Sequence, residues 1–246
     1  MKQAGPCVAG VDGCRAGWLV VVRQLDGETR PSARIVATFA DVLALPEQPS
    51  LIAIDIPVGL PQRSGIGGRA ADIAARARLG ARRASVFAVP ARAAVMETDY
   101  AQACAVALVH SDPPRQISKQ TFNLFAKMRE VDAQMTPALQ ARVVECHPEL
   151  AFWAMNGGVA LELPKKVKSR PNLPGLALRR QLLAAAGWPP DFLEAMPFRS
   201  ADAGPDDLLD ACACAWTASR VLRGEAQCFP ASPPRDARGL RQEIWA

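Results

Sequence analysis

The sequence predicts a mixed α/β fold: a five-stranded sheet of three antiparallel strands followed by two more, flanked by helices and carrying a helical insertion. Three observations lead there. The first fifty residues hold three short apolar runs separated by tight turns, which makes neighbouring strands antiparallel. Leu51–Ile56 (LIAIDI) is apolar almost throughout, the pattern of a strand covered on both faces. Helical segments then alternate with one further short strand, and this order implies helices packed on a mixed sheet.

The first strand is CVAGVD, ending at Asp12, and GCRAG is the Gly-bounded turn into Trp18–Leu25 (WLVVVRQL). Asp26-Gly27 opens the next turn and Arg34–Phe39 is the third strand. Asp41–Leu45 reads as a short helical linker to LIAIDI, which Pro57 ends because proline has no N–H for the ladder. The helical insertion covers about 62–141 of a single domain spanning 1–246. Within it, Arg69–Leu79 is a helix closed by Gly80, Thr98 caps a helix to Leu108, and Ser118 caps one to about Gln134. Arg142–Cys146 (RVVEC) is the fifth strand. Helices follow at Pro148–Met155, Leu176–Ala186 and Asp206–Leu222, the last beginning after Gly204-Pro205 and stopping at Gly224. The proline-rich tail after Phe229 reads as an ordered or loosely docked strap.

Half of the 246 residues are hydrophobic and 22% are charged, a balance that excludes a disordered chain. No window approaches the roughly 18 consecutive apolar residues of a membrane span. The opening MKQAGPCVAGVDG lacks a basic stretch followed by an apolar run, so a soluble, cytoplasmic protein without a membrane partner is expected. Seven cysteines with no CxxC pair do not make a disulfide framework; they read as small core residues. Cys146 and His147 are adjacent in a strand and point to opposite faces, which argues against a Cys–His hydrolase.

Charge is concentrated. Residues 63–92 hold seven arginines and one acid, a net of +6, and residues 165–180 hold six basic residues and no acid, again +6. With an overall charge of +5, the remainder carries −7. Basic segments on an acidic body suit a polyanion-binding surface around an acidic centre, or a solvated face. The acids that matter sit at strand ends: Asp12 after the first strand, Asp55 inside LIAIDI, and Glu145 in RVVEC. Asp206, Asp207 and Asp210 open the last helix, where Asp210 shares a face with either of the other two. Asp12 also suits an Asp-Gly turn, and Asp206 or Asp207 a helix N-terminus. Sites in open α/β sheets form outside the carboxyl ends of strands, so these carboxylates are placed to meet. Converging carboxylates repel unless cations lie between them, and Mg²⁺ or Mn²⁺ suits an all-oxygen set. Two such ions about 3.5–4 Å apart activate water and stabilise a leaving phosphate oxygen, which makes metal-dependent phosphodiester hydrolysis the chemical reading.

Six stretches together resemble a domain-of-unknown-function family of predicted RNase H-like nucleases: GVDGCRAGWLVV (10–21), IAIDIPVGLP (52–61), ARRASVFAVPAR (81–92), ISKQTFNLFAKMREVD (117–132), VVECHPELAFWAMNGG (143–158) and DDLLDACACAWTA (206–218). The resemblance implies an RNase H-like fold and nucleic acid as partner. It implies catalytic acids at Asp12, Asp55, Glu145, Asp207 and Asp210, and metal held by Asp12, Asp55, Asp207 and Asp210. Where this family tends to a Ser-Lys-Lys-Thr-like segment, the chain has Pro164-Lys165-Lys166-Val167. Arg82, Arg83 and Lys119 lie in matching blocks and are expected to contact phosphates, as are Lys127 and Arg129. Two other classes fit the same scaffold: an ATP-dependent phosphotransferase or ATPase of related fold, and a catalytically silent scaffold that binds nucleic acid or a partner.

Overall fold

A computed structural model describes residues 5–26, 29–168 and 170–246; Gly27, half of the expected Asp26-Gly27 turn, lies outside the described residues. β1 (Cys7–Cys14) and β2 (Gly17–Gln24) form an antiparallel pair, and β3 (Ser32–Val36) adds antiparallel to β2. β4 (Leu51–Ile54) pairs in parallel with the other edge of β1, and β5 (Val143–Glu145) pairs in parallel with β4. The sheet order is β3-β2-β1-β4-β5, the five-stranded mixed sheet that the sequence predicts.

The third strand stops earlier than the sequence suggests. The Thr38 side chain accepts from the Asp41 N–H while Asp41 accepts from the Thr38 N–H, and this reciprocal cap draws Phe39 into α1 (Phe39–Leu43). The segment 62–141 carries α2 (Ala70–Arg78), a 3-10 turn at Gly80–Ser85, α3 (Arg92–Met96), α4 (Tyr100–Val109), α5 (Lys119–Phe122) and α6 (Phe125–Gln134). Asp99, not Thr98, caps α4 by accepting from the Gln102 N–H. Ser118 caps as expected, but the single helix from 118 to 134 is two. A tight turn, Leu124 N–H to Thr121 C=O, offsets them. Phe122 then packs on Tyr100 while Phe125 enters the core.

α7 (Pro148–Met155) is followed by a short hairpin of β6 (Lys166–Val167) and β7 (Arg170–Pro171). Next come α8 (Leu173–Ala185), which begins before the expected Leu176, α9 (Pro190–Glu194) and α10 (Pro205–Leu222). In the tail, β8 (Cys228–Phe229) pairs with β9 (Ile244–Trp245), and Asp236 accepts from the Leu60 N–H and pairs with Arg92. The strap is therefore docked. Among the described residues no helix is long and apolar enough to cross a membrane.

Alternation along the strands divides the core in two. Val8 and Cys14 of β1, Leu51 and Ala53 of β4, and Val144 of β5 face α7, α8 and α10. Cys7, Ala9 and Val11, with Ile52, Ile54 and Val143, face α1, α3 and α6. α10 lies on β1 so closely that a Cβ at Gly10 would stand 2.0 Å from Ala211 O and 2.1 Å from Ala215 N. Only glycine lets the two backbones meet there. We expect Gly10→Ala to destabilise the fold by about 3 kcal/mol or more, because the obstruction is main chain and cannot rotate away. Urea unfolding of the variant, with a midpoint close to wild type as the contrary result, checks this.

Candidate functional site

The seating of α10 on β1 sets the site. Asp12 has the same parity as Val8 and Gly10 and so faces α10, and Asp55 has that of Leu51 and Ala53. The parallel register Val11↔Ile54 makes Asp12 and Asp55 neighbours across the two strands; the Asp55 N–H still bonds Val11 O at 2.9 Å. Along α10, Ala215, Ala211 and Asp207 fall on one stripe, so the helix that touches Gly10 through its alanines carries Asp207 toward Asp12. Asp210, one turn further along the helix, is buried at 1% exposure.

Asp12, Asp55, Asp206 and Asp207 line a cleft of about 640 Å³ together with Lys127, Lys165 and Lys166, and Asp210 lies behind it. The carboxyls titrate upward, chiefly because they are buried and then because they crowd one another. Burial raises Asp12 well above the usual carboxylate range, with Asp55, Asp210 and Asp207 adding to it. Asp55 is pushed up to about 6 by burial against the pull of Lys165, and Asp210 to about 7 by burial against the same lysine. Burial also lifts Asp207, although its Oδ2 accepts the Gly204 N–H at 2.7 Å. Of the two first-turn acids, it is thus Asp207 that caps the helix.

The cation among these acids is a side chain. Lys165 Nζ donates to Asp210 and stands 4.0 Å from Asp206 Oδ2, while Lys166 Nζ meets Asp206 Oδ2 at 2.6 Å from the solvent side. Burial works against the charge on Lys165, yet the fields of Asp210, Asp12 and Asp55 outweigh it and hold the ammonium protonated. Among the described residues no three His, Cys, Asp or Glu side chains are grouped to hold a metal ion. The donors nevertheless suit a hard cation: all are carboxylate oxygens, and Asp206 Oδ1 and Asp210 Oδ1 are buried with no hydrogen-bond partner.

Glu145 belongs to another part of the cleft. In VVEC it has the opposite parity to Val144 and Cys146, so it points away from α10. Both of its oxygens are taken by Arg69, at 2.6 and 2.8 Å, and Oε2 also accepts the Val58 N–H at 2.6 Å. Arg69, fully buried, binds Asp72 Oδ1 at 2.8 Å as well, and this triad ties α2 to the sheet. Glu145 therefore serves Arg69 rather than the aspartate cluster. Of the expected phosphate contacts, Arg82 lines the cleft and its Nε lies 3.8 Å from Glu149 Oε2. Arg83 is exposed and Lys119 stacks on the Tyr100 ring at 3.8 Å, and neither lines the cleft. Lys127 does line it, beside Gly13, whereas Arg129 is spent on Val95 O and Glu97 O.

Asp206, Lys165, Lys166, His147 and Glu149 also line the cleft. His147 Nε2 donates to Ser85 O at 3.3 Å, burial lowers its pKa, and its Nδ1 lone pair has no partner. Glu149 is held through one oxygen by the buried Arg179. Lys165 was visible in the sequence as part of a basic run, but nothing there said that its charge turns inward.

The profile of a family described as "Protein of unknown function (DUF429)" matches residues 10–235. No curated protein and no solved structure matches the chain.

Because Asp55 and Asp210 hold protons more tightly folded than the unfolded value of about 3.9, their contribution to stability is complete below that value and lost as pH rises through about 6 and about 7. Without added metal, the thermal midpoint should fall from about pH 5 to about pH 8, and Asp55→Asn should flatten the fall. A midpoint constant or rising over that range would contradict the assignment.

Proposed function

For this chain, which belongs to the DUF429 family of proteins of unknown function, we propose hydrolysis of phosphodiester bonds in nucleic acid, dependent on Mg²⁺ or Mn²⁺. The observation that carries the reading is that Asp12, Asp55 and Asp207, from two parallel strands and the last helix, line one cleft. Strand order and the origin of these acids support an RNase H-like relationship, and the continuous sheet supports one catalytic unit. Asp12, Asp55 and Asp207, with Asp210 behind them, would hold the metal, which supplies Lewis-acid polarisation of a phosphoryl oxygen and a lowered pKa for bound water.

The protein's own groups do the rest. Arg82, Lys127 and Lys166 rim the acids and offer donors to phosphate oxygens, a guanidinium in bidentate fashion and the ammonium groups as point charges. The exposed Arg83, Lys119, Lys168 and Arg170 extend the positive surface outside the cleft, where they would track a polyanion. The depth of Asp12 and Asp210, at 8% and 1% exposure, keeps water from screening their field. The Arg69–Glu145–Asp72 triad fixes the opposite wall.

The test is incubation of the purified chain with single-stranded and duplex DNA, RNA and the hybrid, each with Mg²⁺ or Mn²⁺. Cleavage that chelation abolishes and that Asp12→Asn lowers at least about a hundredfold is expected, the loss of several kcal/mol of charge stabilisation. Absence of cleavage on every substrate, or equal cleavage by the variant, would overturn the reading.

A further inference from the structure

The carbonyls of three consecutive residues before β6 are all tethered to α8 and its cap. Leu163 O accepts from Arg179 Nη1 at 3.0 Å, Pro164 O from Asn172 Nδ2 at 2.8 Å, and Lys165 O from the Asn172 N–H at 2.9 Å. Pro164 O presses so closely on α8 that a Cβ at Gly175 would lie 2.0 Å from it. Arg179 is itself fully buried and anchored to Glu149 and Gly175 O. The backbone of Lys165 is thereby fixed over the aspartates, and its side chain runs inward to Asp210. Lys166, its neighbour, pairs with Asp206 at 43% side-chain exposure against 27% for Lys165. One lysine is built in; the other is a surface partner.

We propose that Lys165 is a permanent cation of the aspartate cluster, standing where a divalent ion would otherwise bind, so that the cluster takes one metal ion fewer than its carboxylates could hold. Charge supports the count. With Lys165 and Lys166 set against Asp12, Asp55, Asp206, Asp207 and Asp210, one divalent ion brings the cluster to within a single charge of neutrality. Without Lys165, two would neutralise it. Removing the ammonium frees Asp210 Oδ2, which with the buried, unpartnered Oδ1 atoms of Asp206 and Asp210 gives an incoming ion its donors. Lys165 is a positioning residue: it sets the charge and the number of ions through the carboxylates it touches. The inference rests on the same cluster as the metal-dependent reading, but its test separates the two.

The experiment is titration calorimetry with Mn²⁺ alone at about pH 8. It is run on the full-length wild type and Lys165→Met, with folding checked by far-ultraviolet circular dichroism. The Met variant should bind one more Mn²⁺ than wild type, and Lys165→Arg the wild-type number. One ion in wild type and two in the variant upholds both readings. None in wild type and one in the variant upholds Lys165 as the resident cation and overturns metal-dependent hydrolysis. Equal numbers in wild type and Lys165→Met, or an extra ion in Lys165→Arg, overturn the inference. Should the Met variant not fold, Lys165→Gln, which can still donate to Asp210, carries the same expectation.

Discussion

The approach of α10 to β1 at Gly10 is the constraint on which the site depends. Two backbones in contact fix the helix along its axis and about it, because the alanines at 211 and 215 leave no slack. Asp207 and Asp210 are then delivered to Asp12 by helical periodicity alone, and Asp55 by the parallel register of β4. A packing decision made by the smallest side chains thus sets the position of the most highly charged ones. The dense apolar surroundings of α10 make that position stiff, since close-packed interiors do not deform gradually.

Gathering carboxylates in a buried place is unfavourable, and the molecule offsets it in two different ways. Around Asp12, Asp55 and Asp210 it inserts an ammonium group that meets one carboxylate directly, which leaves a site short of positive charge. Around Glu145 and Asp72 it supplies a guanidinium whose fork matches both acids, which leaves nothing unsatisfied on Glu145. The same residue type therefore has two fates within one cleft. Carboxylate oxygens without hydrogen-bond partners distinguish the first group, and fully hydrogen-bonded ones the second.

The wall formed by Arg82, His147 and Glu149 belongs to the first kind. Its polar atoms are held from behind, by Ser85 O for the imidazole and by Arg179 for the carboxylate, while His147 Nδ1 and Glu149 Oε2 lack hydrogen-bond partners. Preorganisation of this sort places donors and acceptors at no cost at the moment of binding. It also joins the two halves of the cleft, since Asp55 feels Glu149 and His147 feels Asp210 and Lys165.

Much of the fold was legible in the sequence because it depends on local rules. Apolar alternation marked the strands and tight turns made the first three antiparallel, while the near-continuous LIAIDI marked a strand covered on both faces. Strand parity put Glu145 on the face of Val143, but only the register Ile54↔Glu145 showed that this is the face opposite Asp55. The break at Asn123-Leu124 was not legible in this way, since Phe122 packs there on Tyr100 of another helix, whereas the helix after Thr38 rests on a local Thr38/Asp41 cap that the reading of Arg34–Phe39 as strand passed over. The sequence by itself determined which residues carry charge and which of them share a face of their own strand or helix, because that follows from periods of 2 and 3.6 residues. Only the tertiary structure decided that Lys165 turns into the acids while Arg83 and Lys119 turn away, because the direction of a long cationic side chain is set by the field and burial of distant neighbours.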